Sequence, residues 1–235
     1  MPKTNDADVK RIEKLQKAID KARVVTAPEN SLGQWIGYFL DRATHLVLEQ
    51  ALQLKIHAKL QPLDLQPKEG GPLVRLLDDF GDLKQIDHAV FKDNEPRVII
   101  ESKWLKDKRH LNDKAAWIRQ LEDIVTENSV NKALLVLAGP WEGYRDRMEK
   151  RNFGVIIIEV DHVYKTLKSN GIKISIDSTK EAYNDPERTL NQLLDVIETR
   201  IEAGDTDPVG SIGLAILDHH RPEIERQLAI ALTDL

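Results

Sequence analysis

The sequence predicts an α/β fold, and three features carry that expectation. Apolar runs of strand length at 133–139 (ALLVLAG) and 155–160 (VIIIEV) alternate with segments of helical spacing, which is the βαβ signature of a sheet layered with helices. Upstream, 83–91 and 97–104 flank the turn residues Asp93-Asn94-Glu95-Pro96 and read as a β-hairpin. A long apolar helix over about 31–56 precedes that hairpin.

Each element has a local reason. Val9, Ile12, Leu15 and Ile19 recur at helical spacing and predict an amphipathic helix over 5–23. Ala27-Pro28-Glu29-Asn30 is turn chemistry, and Asn30 or Ser31 caps the long helix. Proline and glycine at 62, 67, 70, 71 and 72 predict a loop, followed by a short apolar piece at 73–77 and a turn in which Asp78, Asp79 and Asp82 surround Gly81. After the hairpin the pattern predicts helices at 112–128, 141–151 and 161–169, and a further short strand at 172–177. Three more helices follow at about 187–203, 210–218 and 222–234. The expected division is an N-terminal helical extension (1–30), an α/β core (31–180) and a C-terminal helical segment (181–235), the last able to belong to the same domain.

Composition narrows the function classes. The chain has no cysteine, which excludes a disulfide framework and thiolate zinc sites and accords with a reducing, cytoplasmic setting. No run of about 18 apolar residues exists to span a bilayer and the N-terminus carries no apolar leader, so a soluble protein without a membrane partner is expected. The formal net charge is -5, yet 96–120 holds seven basic residues against three acids. A chain polarised in this way can present a basic groove to nucleic acid while remaining acidic in total.

The stretch VIIESKW (98–104) sets a charged pair inside an apolar strand. Residues two apart on a strand share a face, so Glu101 and Lys103 lie side by side, with Ser102 and Trp104 opposite. The partner strand carries one acid among apolar residues, Asp87, and register decides whether it joins them; a hairpin loop of three or five residues aligns the two carboxylates. Convergent carboxylates are what a hard divalent cation such as Mg²⁺ requires, and an ammonium beside them offsets charge on phosphoryl oxygens.

Asp87, then thirteen residues, then Glu101-Ser102-Lys103, on a hairpin after a long helix and before an α/β crossover, resembles the PD-(D/E)XK nuclease superfamily over about residues 31–160. The resemblance implies a restriction-endonuclease-like αβββαβ core, with a mixed sheet flanked by helices and extra helices at both ends. It implies Asp87 and Glu101 as ligands of Mg²⁺ or Mn²⁺, Lys103 as the catalytic lysine, and cleavage of double-stranded DNA. Ile86 stands where the family pattern has proline. An acid of the preceding helix is implied as a further catalytic residue, Glu49 before Asp41, and Gln120 as a supporting polar group. Lys106, Lys108, Arg109 and Lys114 are expected along the DNA backbone. The length and terminal helices resemble a homodimeric type II restriction enzyme; a structure-selective repair or junction nuclease, and a catalytically silent binding module, are the alternatives. Asp79-Phe80-Gly81 reads as a turn, and adjacent His219 and His220 are expected to point apart.

Overall fold

The computed structural model describes residues 6–59, 64–67, 74–92, 95–107, 111–177 and 182–233. Two helices, α1 (Asp6–Arg23) and α2 (Pro28–Lys59), precede a short strand β1 (Asp64–Pro67), and a small hairpin follows, β2 (Val74–Leu77) and β3 (Leu83–Ile86). Next come β4 (His88–Lys92), β5 (Glu95–Trp104), α3 (Leu111–Glu127) and β6 (Lys132–Ala138). A 3₁₀ turn (Glu142–Tyr144) leads into α4 (Arg145–Glu149), then β7 (Gly154–Ile158) and α5 (Val160–Ser169). The strands β8 (Ile176–Asp177) and β9 (Ala182–Tyr183) pair with each other before α6 (Pro186–Glu202), α7 (Pro208–Leu217) and α8 (Arg221–Ala231).

The α/β class is as expected: the main sheet is mixed, in the order β1-β4-β5-β6-β7. β1, β4 and β5 are antiparallel neighbours, whereas β5, β6 and β7 run parallel. The parallel pairs need crossovers, supplied by α3 and α4. No helix among the described residues is long and apolar enough to cross a membrane.

Three expectations change. The segment read as a loop at 62–72 contains β1, since its Pro67 sits at the end of a strand on the sheet's edge, where a missing N–H is tolerated. The single strand read at 83–91 breaks at Asp87: β3 pairs with β2 in a separate two-stranded sheet, and β4 joins the main sheet. Of the strand read at 172–177 only Ile176–Asp177 forms, outside the main sheet.

Two apolar layers sandwich the sheet. Val90, Val98, Ile100, Leu134 and Val136 face α2, α6 and α7, while Ile86, Ala89, Ile99, Leu135 and Leu137 face α3 through Ile118, Leu121 and Ile124. β6 is buried on both sides, which is why its sequence is a continuous apolar run. Asp185 and Asp207, each followed by proline, start α6 and α7 by accepting hydrogen bonds from Arg188 N and Gly210 N, both at 3.1 Å. The terminal helices share the core of α2: Leu15 and Ile19 of α1, Leu193 and Ile197 of α6, and Ile212 and Ile216 of α7 are buried in it. These buried residues are therefore spent within the chain.

Gly213 fixes the separation of α2 and α7, because a Cβ there would stand 2.1 Å from the carbonyl oxygen of Phe39 and 2.9 Å from the Ala43 Cβ. Gly213→Ala forces two rigid helix backbones apart and is expected to destabilise the protein by about 1–3 kcal/mol. Chemical denaturation measures it; an unchanged midpoint would mean that the helices have slack the packing does not show.

Candidate active site

The hairpin of β4 and β5 decides where the charged residues go. Its ladder starts as Lys92↔Glu95 and Phe91↔Pro96, a register that, if continued, would set Asp87 across from Ile100 and leave Glu101 on the other face. Instead the pairing shifts between Phe91 and Val90: Val90 pairs with Val98 and His88 with Ile100, so Arg97 is an extra residue in β5. This β-bulge moves the register by one and sets Asp87 opposite Glu101. The alignment expected from an odd loop is thus produced by a bulge, beside a proline that a regular ladder would disfavour.

Asp87, Glu101 and Lys103 come together as expected. Lys103 Nζ donates to Asp87 Oδ2 at 2.8 Å and to Glu101 Oε2 at 2.5 Å. The backbone completes the frame: Asp87 N donates to Glu101 Oε1 and Ser102 N to Asp87 Oδ2, both at 3.1 Å. Asp87 and Glu101 are 4 % and 1 % exposed, while the Lys103 side chain is 25 % exposed and forms the solvent side of the cluster. Trp117 of α3, a residue that sequence reasoning assigns only to packing, lies 4.9 Å from Lys103 Nζ and holds the ammonium by a cation–π contact. Its signal in the sequence is one indole a turn and a half into the helix after Lys103, indistinguishable there from core.

Asp87 and Glu101 set two carboxylates beside the Lys103 ammonium. Burial first, and the Asp87 carboxylate second, push the Glu101 carboxyl from 4.5 up to about 8 against the pull of Lys103. The Lys103 ammonium is itself held above its ordinary range: burial opposes the charge, but Glu101 and Asp87 outweigh it.

Glu49, Asp41, Gln120 and Lys106 do not join the cluster. Glu49 is on α2, which covers the opposite face of the sheet, and its side chain is 49 % exposed with His45 Nε2 at 3.8 Å. Asp41 is on that side too, 3.1 Å from His88 Nε2. His88 therefore faces away from Asp87, stacked on His45 at 5.8 Å between ring centroids; burial first, then Arg42, lowers the His45 pKa to about 4. Gln120 reaches Asp78 Oδ2 at 3.5 Å. Lys106 is engaged by Glu29 and lies 5.1 Å over the Tyr183 ring. Lys108 and Arg109 lie outside the described residues, and of Lys114 only its place in α3 is described. His219 and His220 each pack on His162, with ring centroids 5.5 and 5.7 Å from its own.

Among the described residues, no group of three or more His, Cys, Asp or Glu side chains is arranged to hold a metal ion. The chemistry of the pair nevertheless fits a hard cation: Asp87 Oδ2 and Glu101 Oε2 already converge on one positive centre, the Lys103 nitrogen, and Mg²⁺ is commonly held by one or two carboxylates with waters and phosphate oxygens.

No family model, curated protein or solved structure matches this chain.

The Glu101 proton has a measurable consequence. Because folding raises this carboxyl's pKa, its contribution to stability is complete below about pH 4.5 and is lost as pH rises through about 8. The melting temperature without divalent metal is expected to fall between about pH 4.5 and 8, and Glu101→Gln, which cannot ionise, to flatten that slope. Parallel pH profiles for the two proteins would sink the assignment.

Proposed function

We propose that the protein is a metal-dependent DNA endonuclease of the restriction-endonuclease-like fold, closest in kind to a type II restriction enzyme. The observation that carries this reading is the convergence of Asp87 Oδ2 and Glu101 Oε2 on Lys103 Nζ at the end of a bulged hairpin. The element order supports it: α2, β1, β4, β5, α3 and β6 follow one another as helix, three antiparallel strands, helix and parallel strand, with the β2–β3 hairpin inserted after the first strand.

In this reading Asp87 and Glu101 would hold Mg²⁺, which supplies Lewis acidity and an acidified water when bound. The chain's own groups do the rest. A second positive charge there would favour the ionised Glu101 carboxylate, against the burial and the Asp87 charge that raise its pKa. Lys103, steadied by Trp117, orients the attacking water and offsets the charge that grows on the phosphoryl oxygens. A catalytically silent module is the second reading, favoured by the closure of Lys103 over both carboxylates, which leaves the cluster satisfied by itself.

Incubation of the purified protein with plasmid DNA and Mg²⁺ tests the proposal. Discrete fragments are expected, with no cleavage in EDTA. Asp87→Ala, Glu101→Ala and Lys103→Ala should each lower the rate by about 10²–10⁴-fold while the protein stays folded and bound to DNA. Intact plasmid under every metal supports the silent module instead, and full-rate cutting by any variant removes that residue from the site.

A further inference from the structure

Between the ends of α3 and α4 lies a cavity of about 400 Å³ with a polar rim of Ser129, Asn131, Lys132, Arg151 and Asn152, and among the described residues no acid lines it. Both helix ends close in the same way. In α3, Ser129 N donates to the Thr126 carbonyl at 3.3 Å and Val130 N to that of Val125 at 3.0 Å; in α4, Asn152 N donates to the Glu149 carbonyl at 3.0 Å and Phe153 N to that of Met148 at 3.3 Å. This pair of bonds puts the residue after the cap in the left-handed region, where glycine is the usual choice. The chain follows that rule at α5 and α6, whose ends make the same two bonds through Gly171 (φ +90°) and Gly204 (φ +91°). It departs from the rule at this cavity: Ser129 (φ 52°) and Asn152 (φ 60°) are the two non-glycine residues of positive φ among the described residues. Side chains kept where glycine would be less strained, both on the rim of one cavity, point to a use for those side chains.

The charge left on the rim selects the ligand. Arg151 is engaged by Glu122, and the carbonyl groups of Val125, Thr126, Met148 and Glu149 are occupied by the bonds that close the helices. Lys132, half-buried at the start of β6, has no ion-pair partner among the described residues and is the charge that remains. An ammonium acts as a point charge and suits a phosphate, whereas a planar carboxylate is matched best by a guanidinium fork, and the fork here is taken. The Ser129 hydroxyl and the Asn131 and Asn152 amides, also without side-chain partners among the described residues, offer donors and acceptors to hydroxyl groups. The volume is that of a small-molecule site, for which about 300–1,000 Å³ is usual.

We infer that this cavity binds a small phosphate monoester with a hydroxylated body, the phosphate on Lys132 and the hydroxyl groups on Ser129, Asn131 and Asn152. The site lies about 12 Å along α3 from Trp117, at Val125 and beyond, so it is separate from the Asp87–Glu101–Lys103 cluster and its test uses no cleavage. Calorimetric titration of the full chain at about 0.15 M salt, with inorganic phosphate, glycerol phosphate and adenosine monophosphate as probes, is expected to show saturable binding, tighter for a monoester than for inorganic phosphate. Lys132→Met should weaken every probe by about tenfold or more. Ser129→Gly and Asn152→Gly should weaken the monoesters alone, with a melting temperature no lower than that of the wild type, because glycine relieves the left-handed backbone. Lys103→Ala should bind all three probes as the wild type does. No binding at millimolar probe, an affinity indifferent to Lys132→Met, or monoester affinity unchanged in both glycine variants overturns the proposal. So does binding lost with Lys103→Ala, which would put the anion at the carboxylate cluster. An oligonucleotide with a terminal phosphate, held through Lys132 where neither monoester binds, also overturns it and assigns the cavity to a nucleic-acid end.

Discussion

Two carboxylates removed from water can share one small volume here because a single ammonium bridges both. Each buried charge costs several kcal/mol to desolvate, and only close, hydrogen-bonded opposite charge offsets it. Lys103 supplies that charge, the N–H groups of Asp87 and Ser102 fill further lone pairs, and Trp117 keeps the ammonium in place from the α3 side. The layers around the site follow from this demand. α3 must lie over the face that carries Glu101, and β6 must be apolar on both sides to wall off the cluster's neighbours. Burial, and the Asp87 carboxylate after it, hold the Glu101 carboxyl above its ordinary range even so.

β4 shows how economically the sheet separates unlike chemistry. Asp87 and His88 are adjacent in the chain, yet alternation sends the acid toward Lys103 and the imidazole toward Asp41 and His45 on α2. His45 stays neutral well below physiological pH because burial and Arg42 oppose its charge. The two polar clusters back onto each other across one strand.

Much of this was legible in the sequence where one force dominated. The helix over α3 and the run that became β6 follow from apolar spacing alone, and the Glu101–Lys103 pair was visible because charge stood inside an apolar strand. Asp87 was found by its setting among apolar residues. What stayed hidden depends on partners distant in sequence. The break at Asp87 lies within an unbroken alternation, since β3 and β4 belong to different sheets. β1 was masked by Pro67, which reads as a breaker unless the strand is known to be at an edge. Apolar neighbours single out Glu49 in the sequence, but the face that α2 presents depends on which side of the sheet it covers. The amphipathic pattern of the terminal helices does not say what their apolar residues pack on; Leu15, Ile197 and Ile212 are buried with α2. Trp117 carried no mark to separate a lid from a core residue.

Arg97, passed over between Pro96 and Val98 in the pairing of β5 with β4, makes the site a matter of parity. What the carboxylates need is an odd count of unpaired residues between the two strands, and it is indifferent to whether the odd one sits in the turn or in the ladder. A chain of this design can therefore trade the bulge for a longer turn, or the reverse, and keep its charged cluster intact. A single insertion or deletion anywhere between Val90 and Val98 inverts it, exchanging the buried acids for the apolar residues behind them. The segment most permissive in length is thus the one where length, counted modulo two, is least negotiable.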